Sequence, residues 1–479
     1  MKKILFYLSV MITLLVIVTS CYFHFQELDV VPYGFHVDEL AGAVTTGCLA
    51  TEGTDAHRIA YPLFGEQNFG TPKPPTYLYP AMLWAKIFGS SVPSLRAFTV
   101  AGHWAGIVGL FFLARLLFGP RYALLTVLAG AISPAAWILS RFGLESLFAP
   151  TFLIWGLYFF FRSNKIWSMA LAGFFFSAAM YSYPPTRLQV PLMLLTLSAF
   201  AYQRKSLKLS SLAVFFTSLI LVSIPLIQKT LSGHLQERFN NISIFSPIYL
   251  KSIGKTNSLK DLAEIFLNNY FSHFRPDFLF TTGDASFALS THRFGVLSWL
   301  DMMGLGILTL CIMLLFFKKF RASHPLLQER WFILFLVVNI LIGIIPAALT
   351  NEGVPHSMRS IGSWPFVCLL TGFFLWIACE RVWPLLFVVA LTSALFLGAF
   401  LKVYFTEYPQ SSKGMFSYWT LEEANSLKTD EDWMSFLIRY RHDDYHVRYF
   451  LMQYKHMGCS QTKTIWDNVR DLLKEQGKY

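Results

Sequence analysis

Apolar runs recur along the whole 479-residue chain, and short polar segments separate them. A helix of about 20 apolar residues crosses the roughly 30 Å of hydrocarbon in a bilayer. Eleven runs approach that length and predict membrane spans at residues 4–22, 94–114, 121–140, 145–162, 166–181, 187–202, 208–227, 297–317, 331–349, 360–379 and 383–402. The pattern therefore predicts an all-α polytopic membrane protein, with a transmembrane domain over residues 1–402 and a small extracytoplasmic region over 403–479.

The composition agrees with this interpretation. Hydrophobic residues make up 54% of the chain and charged residues only 14%, whereas soluble proteins carry nearer a quarter charged residues. The net charge of +11 lies largely in short segments between apolar runs, as the positive-inside rule predicts. No nucleic-acid-binding motif accompanies the charge, so membrane lipids rather than nucleic acid are the predicted surroundings.

The basic segments also predict the orientation of the spans. With Lys2 and Lys3 inside, alternate connections should be basic, and four are: Arg115 with Arg121, Arg162 with Lys165, residues 203–208 and residues 318–330. The outer face then holds two long loops (23–93 and 228–296), the tail, and the short connections 140–145, 181–187 and 351–360. Loops longer than a connection requires are usually functional.

The N-terminal run "MKKILFYLSVMITLLVIVTSCY" is compatible with a signal peptide or with a retained first helix. Cys21 lies in a sequence that resembles a lipoprotein cleavage box, but lipoproteins are rarely polytopic, which favours a retained helix. Either outcome leaves residue 30 outside the cytoplasm. The six cysteines show no CxxC and no Cys/His cluster, so the sequence predicts neither a disulfide framework nor a zinc site.

Ionisable residues collect on the predicted outer face. In "GFHVDELAGAV", at residues 34–44, the acids Asp38 and Glu39 follow the first span, and Lys73 lies on a stiff turn between two prolines. Cationic side chains in later outer segments join them: Arg141, Arg187, Arg293, His356 and Arg359. Arginine grips phosphate bidentately and lysine supplies a point charge, so the set indicates an anionic, phosphate-bearing substrate.

Outside the cytoplasm, nucleotide-activated sugars are scarce, whereas sugars carried on a polyprenyl phosphate are available. Such lipid-linked sugars are therefore candidates for the phosphate-bearing substrate. Their phosphate is a competent leaving group that needs only cations to hold its growing charge. The acceptor hydroxyl, in contrast, needs a general base. Asp38 is the candidate base, and an in-line displacement assisted by one carboxylate would invert the anomeric configuration.

Several motifs together resemble the bacterial members of the protein O-mannosyltransferase and aminoarabinose-transferase superfamily, which have the GT-C fold. They are "GFHVDEL", "KPPTYLY", "FGSSVPSLRAFTVAGHWAGIVGLFFLARLLFG", "LSRFGLES", "YSYPPTR", "HFRPDFLFTTGD" and "PAALTNEGVPHSMRS", over roughly residues 30–420. The resemblance implies a polyprenyl-phosphate-linked sugar donor, an external active site, a catalytic acid at Asp38–Glu39 and a phosphate contact from Lys73. Some relatives have a metal near the first-loop acids, and here Glu66 and Glu145 are the candidate additional ligands.

The resulting hypothesis is a glycosyltransferase of the bacterial inner membrane whose active site faces the periplasm or exterior. It would move a sugar to a hydroxyl of a lipid, glycan or protein acceptor, with Asp38 as base and Glu39 as an orienting group.

Alternatives to these residue roles and to this function stay open. Asp38 and Glu39 also suit an ordinary helix start, and Arg141 and Arg187 suit anchors of helix ends. A flippase of lipid-linked sugars is the rival function, although transporters more often show repeats and mid-membrane charges; a non-catalytic binding protein is a third.

Overall fold

The structure is a computed structural model that describes residues 2–65, 72–163, 165–203, 208–233, 235–314, 329–440 and 444–475. These ranges contain isolated β-bridges and no extended strand. The helices, in chain order, are α1 Lys2–His24, α2 Val37–Glu52, α3 Pro75–Phe88, α4 Val92–Phe118, α5 Pro120–Ala131, α6 Pro134–Ser140, α7 Phe148–Arg162, α8 Ile166–Ser182, α9 Thr186–Gln203, α10 Leu209–Leu231, α11 Glu237–Ile242, α12 Pro247–Ser252, α13 Leu259–Ser272, α14 Trp299–Leu314, α15 Arg330–Ala348, α16 Trp364–Arg381, α17 Leu385–Thr406, α18 Tyr408–Ser412, α19 Tyr418–Ser426, α20 Asp430–Arg439, α21 Asp444–Tyr454 and α22 Cys459–Glu475. Short 3₁₀ turns lie at Glu145–Leu147, Ile361–Ser363 and Lys413–Phe416, and a π-turn at Asp277–Thr281.

The predicted all-α membrane protein is confirmed. Six helices of the described chain are long and apolar enough to cross a bilayer, namely α1, α4, α10, α15, α16 with its 3₁₀ turn, and α17. The pair α5 and α6 would add a seventh, bent by 62° where Pro134 cannot continue the hydrogen-bond ladder. Helices lie at all eleven predicted positions, and the count of eleven spans stays a prediction.

The chain divides into two compact units. The membrane unit comprises residues 1–26, 102–139 and 146–404, and the loop unit comprises residues 27–101, 140–145 and 405–479. In the membrane unit, α8 packs against α7 and α10, and α16 packs against α5, α14 and α15. A Cβ on Gly173 would lie 2.5 Å from the carbonyl oxygen of Phe215, so glycine is what allows α8 to approach α10 this closely.

The loop unit is built around α2, which packs against α3, α21 and α22. A disulfide joins Cys48 on α2 to Cys459 at the start of α22, with Cα atoms 5.2 Å apart. The prediction that no disulfide would form is therefore wrong. The two cysteines are 411 residues apart, so no local spacing signals the pair and only the folded chain brings them together.

Candidate active site

Helix α2 begins with a turn in which the two acids, Asp38 and Glu39, differ in their exposure to solvent. The Asp38 backbone N–H donates to Nδ1 of His36 at 3.2 Å, and the His36 N–H donates to Oε2 of Glu39 at 2.9 Å. These reciprocal bonds satisfy amides that a helix start would otherwise leave without partners. The Asp38 side chain is 36% exposed and its Oδ2 lies 3.6 Å from His36 Nδ1, whereas Glu39 is fully buried. Asp38 is therefore the accessible acid of the pair.

His36 keeps its hydrogen-bond acceptor because its ring favours the neutral form. Burial lowers the pKa of His36, and this effect exceeds the opposite influence of the Asp38 and Glu39 carboxylates. Lys73 and His446 lower the pKa further. A neutral imidazole can accept the Asp38 N–H at Nδ1, whereas an imidazolium cannot.

Glu39 forms a buried bidentate ion pair with Arg96. The guanidinium Nε donates to Oε1 at 2.7 Å and Nη2 donates to Oε2 at 2.8 Å. The same guanidinium donates to the carbonyl oxygens of Leu28, Pro32 and Gly34, each at 2.9 Å. Arg96 thus ties the loop before α2 to the start of that helix. Arg96 is not among the site residues predicted from the sequence, although an arginine within an apolar helix is a recognisable signal.

Lys73 is held at both its backbone and its side chain. Its N–H and C=O pair with Gly65 at 2.9 and 3.0 Å, and the side chain is only 2% exposed. The ammonium lies 3.0 Å from Oε2 of Glu145, whose side chain is 12% exposed. Lys73 is thus held in place with Glu145 as its counter-ion, and its role as a phosphate contact stays a prediction.

Tyr77 and Gly42 place this lysine beside α2. The Tyr77 hydroxyl donates to the carbonyl oxygen of Gly143 at 2.8 Å, and the Lys73 ammonium lies 5.5 Å from the Tyr77 ring centroid. A Cβ on Gly42 would lie 3.9 Å from Lys73 Cε. Gly42 follows Asp38 by four residues and therefore lies on the same helix face, one turn further along. The lysine stem accordingly packs about one helical turn from the exposed acid.

Arg141 also belongs to the loop unit and is completely buried. Its Nη2 donates to the carbonyl oxygens of Val31 at 2.8 Å and of Glu27 at 3.3 Å. The guanidinium lies 5.3 Å from the ring centroid of Phe405. These contacts support the anchoring alternative for Arg141, since backbone carbonyls take its guanidinium donors.

The other four cationic candidates lie in the membrane unit. Arg187 begins α9 and donates from Nε to the Met180 carbonyl oxygen at 3.4 Å, while Arg293 is exposed in the loop before α14. Arg359 donates to the Glu352 carboxylate at 3.0 Å and to Thr350 Oγ1 at 2.9 Å. The phosphate-binding role of these four residues stays a prediction.

His356 lies in a polar cluster around Asp284. The buried Asp284 carboxylate accepts hydrogen bonds from the Ser357 N–H at 2.7 Å and from its hydroxyl at 2.9 Å. His356 Nδ1 lies 3.6 Å from the same carboxylate, and the His356 N–H donates to Nε2 of His273 at 3.1 Å. Burial raises the pKa of Asp284 and lowers the pKa of His356. His273 and Ser357 also line an apolar cavity of about 190 Å³.

The predicted metal site involves Glu145 and Glu66, of which the structure describes only Glu145. Glu145 is paired with the Lys73 ammonium and Glu39 with the Arg96 guanidinium, so both carboxylates already face a cation. Within the described ranges no group of three or more His, Cys, Asp or Glu side chains is arranged to hold an ion. Glu66 lies outside the described residues. A metal at Glu66 and Glu145 stays a prediction, and the mechanism below uses none.

Residues 72–227 match the family model of dolichyl-phosphate-mannose-protein mannosyltransferases. This range contains Lys73, Arg96, Arg141 and Glu145. The fold of the whole chain is similar to ArnT from Cupriavidus metallidurans, in a crystal structure bound to undecaprenyl phosphate, with a TM-score of 0.54. The match covers 94% of this chain and 87% of that one, at 13% sequence identity. The chain therefore has the GT-C fold, and its residues 72–227 match the mannosyltransferase family model.

A second GT-C structure is also similar, the archaeal oligosaccharyltransferase AglB from Archaeoglobus fulgidus in complex with an inhibitory peptide and a dolichol-phosphate. Here the TM-score is 0.49 and the identity 15%, over 91% of this chain and 59% of AglB. A search of curated protein sequences finds no significant match. The fold similarity to ArnT covers most of the chain, while the match to the family model covers residues 72–227.

Proposed function

We propose that this GT-C protein transfers a sugar from a polyprenyl phosphate to a hydroxyl of a lipid, glycan or protein acceptor on the extracytoplasmic face, with inversion. The observation that carries the proposal is the placement of Asp38 and Lys73. An accessible carboxylate and a lysine lie about one turn apart along α2, with Glu39, His36 and Arg96 fixing the turn. A base and a cation are the two groups that the reaction requires.

Asp38 acts as the general base in this mechanism. Its carboxylate is accessible enough to reach an acceptor hydroxyl, while its backbone is fixed by the neutral His36 ring. As the acceptor oxygen attacks the anomeric carbon, Asp38 takes the hydroxyl proton, and the bond between sugar and phosphate breaks on the opposite face. The electron pair leaves with the polyprenyl phosphate, so the anomeric configuration inverts.

Lys73 holds the phosphate of the donor. An ammonium has three N–H donors, so Lys73 can donate to a phosphate oxygen while it still donates to Glu145. The developing negative charge on the leaving phosphate would strengthen that bond in the transition state. The family match over residues 72–227 and the undecaprenyl phosphate bound to the structurally similar ArnT support this class of donor.

The proposed location is the bacterial inner membrane, with the loop unit facing the periplasm or exterior. Disulfides persist in oxidising compartments and are rare in the cytosol. The Cys48–Cys459 bond joins α2 to α22, so it supports an extracytoplasmic position for both Asp38 and the C-terminal segment. The basic connections, which the positive-inside rule predicts to be cytoplasmic, also favour an extracytoplasmic position for Asp38 and the C-terminal residues.

The test is transfer by the purified protein in liposomes. Tritiated mannosyl and 4-amino-4-deoxyarabinosyl phosphoundecaprenols would be offered with membrane lipid, glycan and protein acceptor fractions. The proposal expects labelled product with at least one donor, with inverted anomeric configuration by NMR. Movement of the intact donor between leaflets without any transfer would contradict it and would favour the flippase.

A further inference from the structure

The C-terminal segment, defined as residues 405–440 and 444–475, covers the turn that carries Asp38. Phe416 is fully buried, and its ring centroid lies 6.2 Å from the His36 ring and 5.1 Å from the Phe142 ring. The Arg96 guanidinium carbon lies 5.7 Å from the Phe416 centroid and 5.8 Å from that of Phe35. Two aromatic rings, one from the first loop and one from the C-terminal segment, therefore face the same guanidinium at cation–π distances.

The backbone of the segment approaches the same loop closely. A Cβ on Gly34 would lie 2.8 Å from the Tyr418 Cα, and the φ angle of Gly34 is +94°, so any other residue there would meet both a clash and backbone strain. On the far side of the loop, the Val92 N–H donates to the Tyr449 hydroxyl at 3.1 Å. The Tyr449 ring also packs edge-on against Phe35, with centroids 5.4 Å apart.

A covalent bond and a buried charge hold the segment to α2. Cys48 lies on α2 ten residues after Asp38 and is bonded to Cys459. The buried Arg448 donates to the carbonyl oxygen of Ala56 at 2.7 Å and lies 3.5 Å from the Cys459 sulfur. The segment is therefore bonded to α2 near the C-terminal end of that helix, at Cys48, and packs against the N-terminal turn of the same helix.

We propose that the C-terminal segment positions the general base, and that Phe416 is the positioning residue. Its ring contacts His36 edge-on, and the Nδ1 of His36 accepts the Asp38 N–H. The same ring faces Arg96, which binds Glu39 and the carbonyl oxygens before α2. This role rests on the proposed function, because the segment would place the Asp38 carboxylate relative to the sugar.

A positioning role and a merely structural role predict different kinetics. Removing the ring would let water reach Arg96 and weaken the bonds that fix the turn, because charge-assisted bonds are strongest when water is excluded. A shift of about 1 Å in a catalytic group costs on the order of 100-fold in rate. A loss of stability alone would lower the amount of folded enzyme and leave the kcat of each folded molecule unchanged.

The test compares Phe416→Leu with the matched control Phe436→Leu in the full-length protein. Both phenylalanines are at most 1% exposed, but the ring partners of Phe436 are Trp433, Tyr440 and Phe450, all within the segment. We expect Phe416→Leu to lower kcat about 10- to 100-fold with the donor KM changed less than threefold, and Phe436→Leu to change kcat less than twofold. Hydrogen exchange of residues 34–41 should accelerate only in Phe416→Leu.

Equal kcat and equal exchange in the two variants would overturn the positioning role. The exchange readout needs no turnover, so it separates the two hypotheses. If the wild-type protein transfers no sugar, the proposed function fails, and the exchange comparison still decides whether Phe416 holds the turn.

Discussion

Two arginines, Arg96 in the loop unit and Arg359 in the membrane unit, are paired with acids of very different exposure. In the loop unit, Arg96 and Glu39 are both fully buried and joined by two short bonds. In the membrane unit, the Arg359 side chain is itself only 11% exposed and pairs with Glu352, whose side chain is 55% exposed. A buried pair is costly to break because the remaining charge loses both partner and water, whereas an exposed pair contributes little. Breaking the ion pair is therefore expected to cost more at the turn that presents Asp38 than at Glu352.

The largest expected effect on stability is found when the acid of each ion pair is replaced by glutamine and the two variants are compared. Glu39→Gln leaves Arg96 without a buried counter-charge and should lower the free energy of unfolding by about 3–5 kcal/mol. Glu352→Gln should lower it by about 1 kcal/mol or less, since water and carbonyl oxygens still solvate Arg359. Thermal unfolding in detergent measures both. Similar losses in the two variants would remove the contrast between the units.

The disulfide gives the next largest effect. Cys48→Ser with Cys459→Ser should lower the free energy of unfolding by about 2–5 kcal/mol, and the loss should appear in the loop unit. Limited proteolysis would locate it as faster cleavage within residues 405–475. The matched control is Cys368→Ser, a buried cysteine of the membrane unit that forms no disulfide. Cleavage confined to the membrane unit would contradict the expectation.

Substitution of Lys73 tests whether the loop unit, rather than the membrane unit, contributes the lysine that binds the lipid phosphate. Lys73→Met should weaken the affinity for undecaprenyl phosphate about 10- to 100-fold, because one charge-assisted hydrogen bond contributes about 1.5–3 kcal/mol. Lys255→Met is the control, since Lys255 pairs with Glu264 in an exposed site of the membrane unit. Microscale thermophoresis with the free lipid phosphate measures both affinities. Equal affinity in Lys73→Met and wild type would exclude this lysine as the phosphate contact.

The smallest expected effect concerns pH. Burial lowers the pKa of His36 in the folded protein, so the unfolded chain binds more protons and stability falls as pH decreases below about 6.5. His36→Asn retains a capping acceptor without a titrating ring. It should therefore reduce the loss of stability between pH 7.5 and pH 5. Parallel Tm–pH curves for the two proteins would refute the role of His36.

The sequence predicted the helical fold because this depends on a local pattern, whereas the roles of Asp38 and Lys73 stay predictions. Apolar runs determine where helices form, and the two prolines beside Lys73 fix its turn without reference to distant residues. Asp38 was chosen over Glu39 from the resemblance, and the structure gives a physical difference, since one acid is accessible and the other buried.

The partners of these residues could not be predicted, because they are distant in sequence. Arg96 is separated from Glu39 by 57 residues and Glu145 from Lys73 by 72. Cys48 and Phe416 acquire their roles only when the C-terminal segment packs on α2. No periodicity or spacing encodes such contacts.

The most direct test of the central claim is the kinetic difference between Asp38→Asn and Asp277→Asn. The amide of Asp38→Asn cannot take a proton from the acceptor, so kcat should fall about 100- to 10,000-fold while undecaprenyl phosphate binds as in the wild type. Asp277→Asn changes an exposed acid of the membrane unit and should leave kcat unchanged. Wild-type kcat in folded Asp38→Asn would contradict the account.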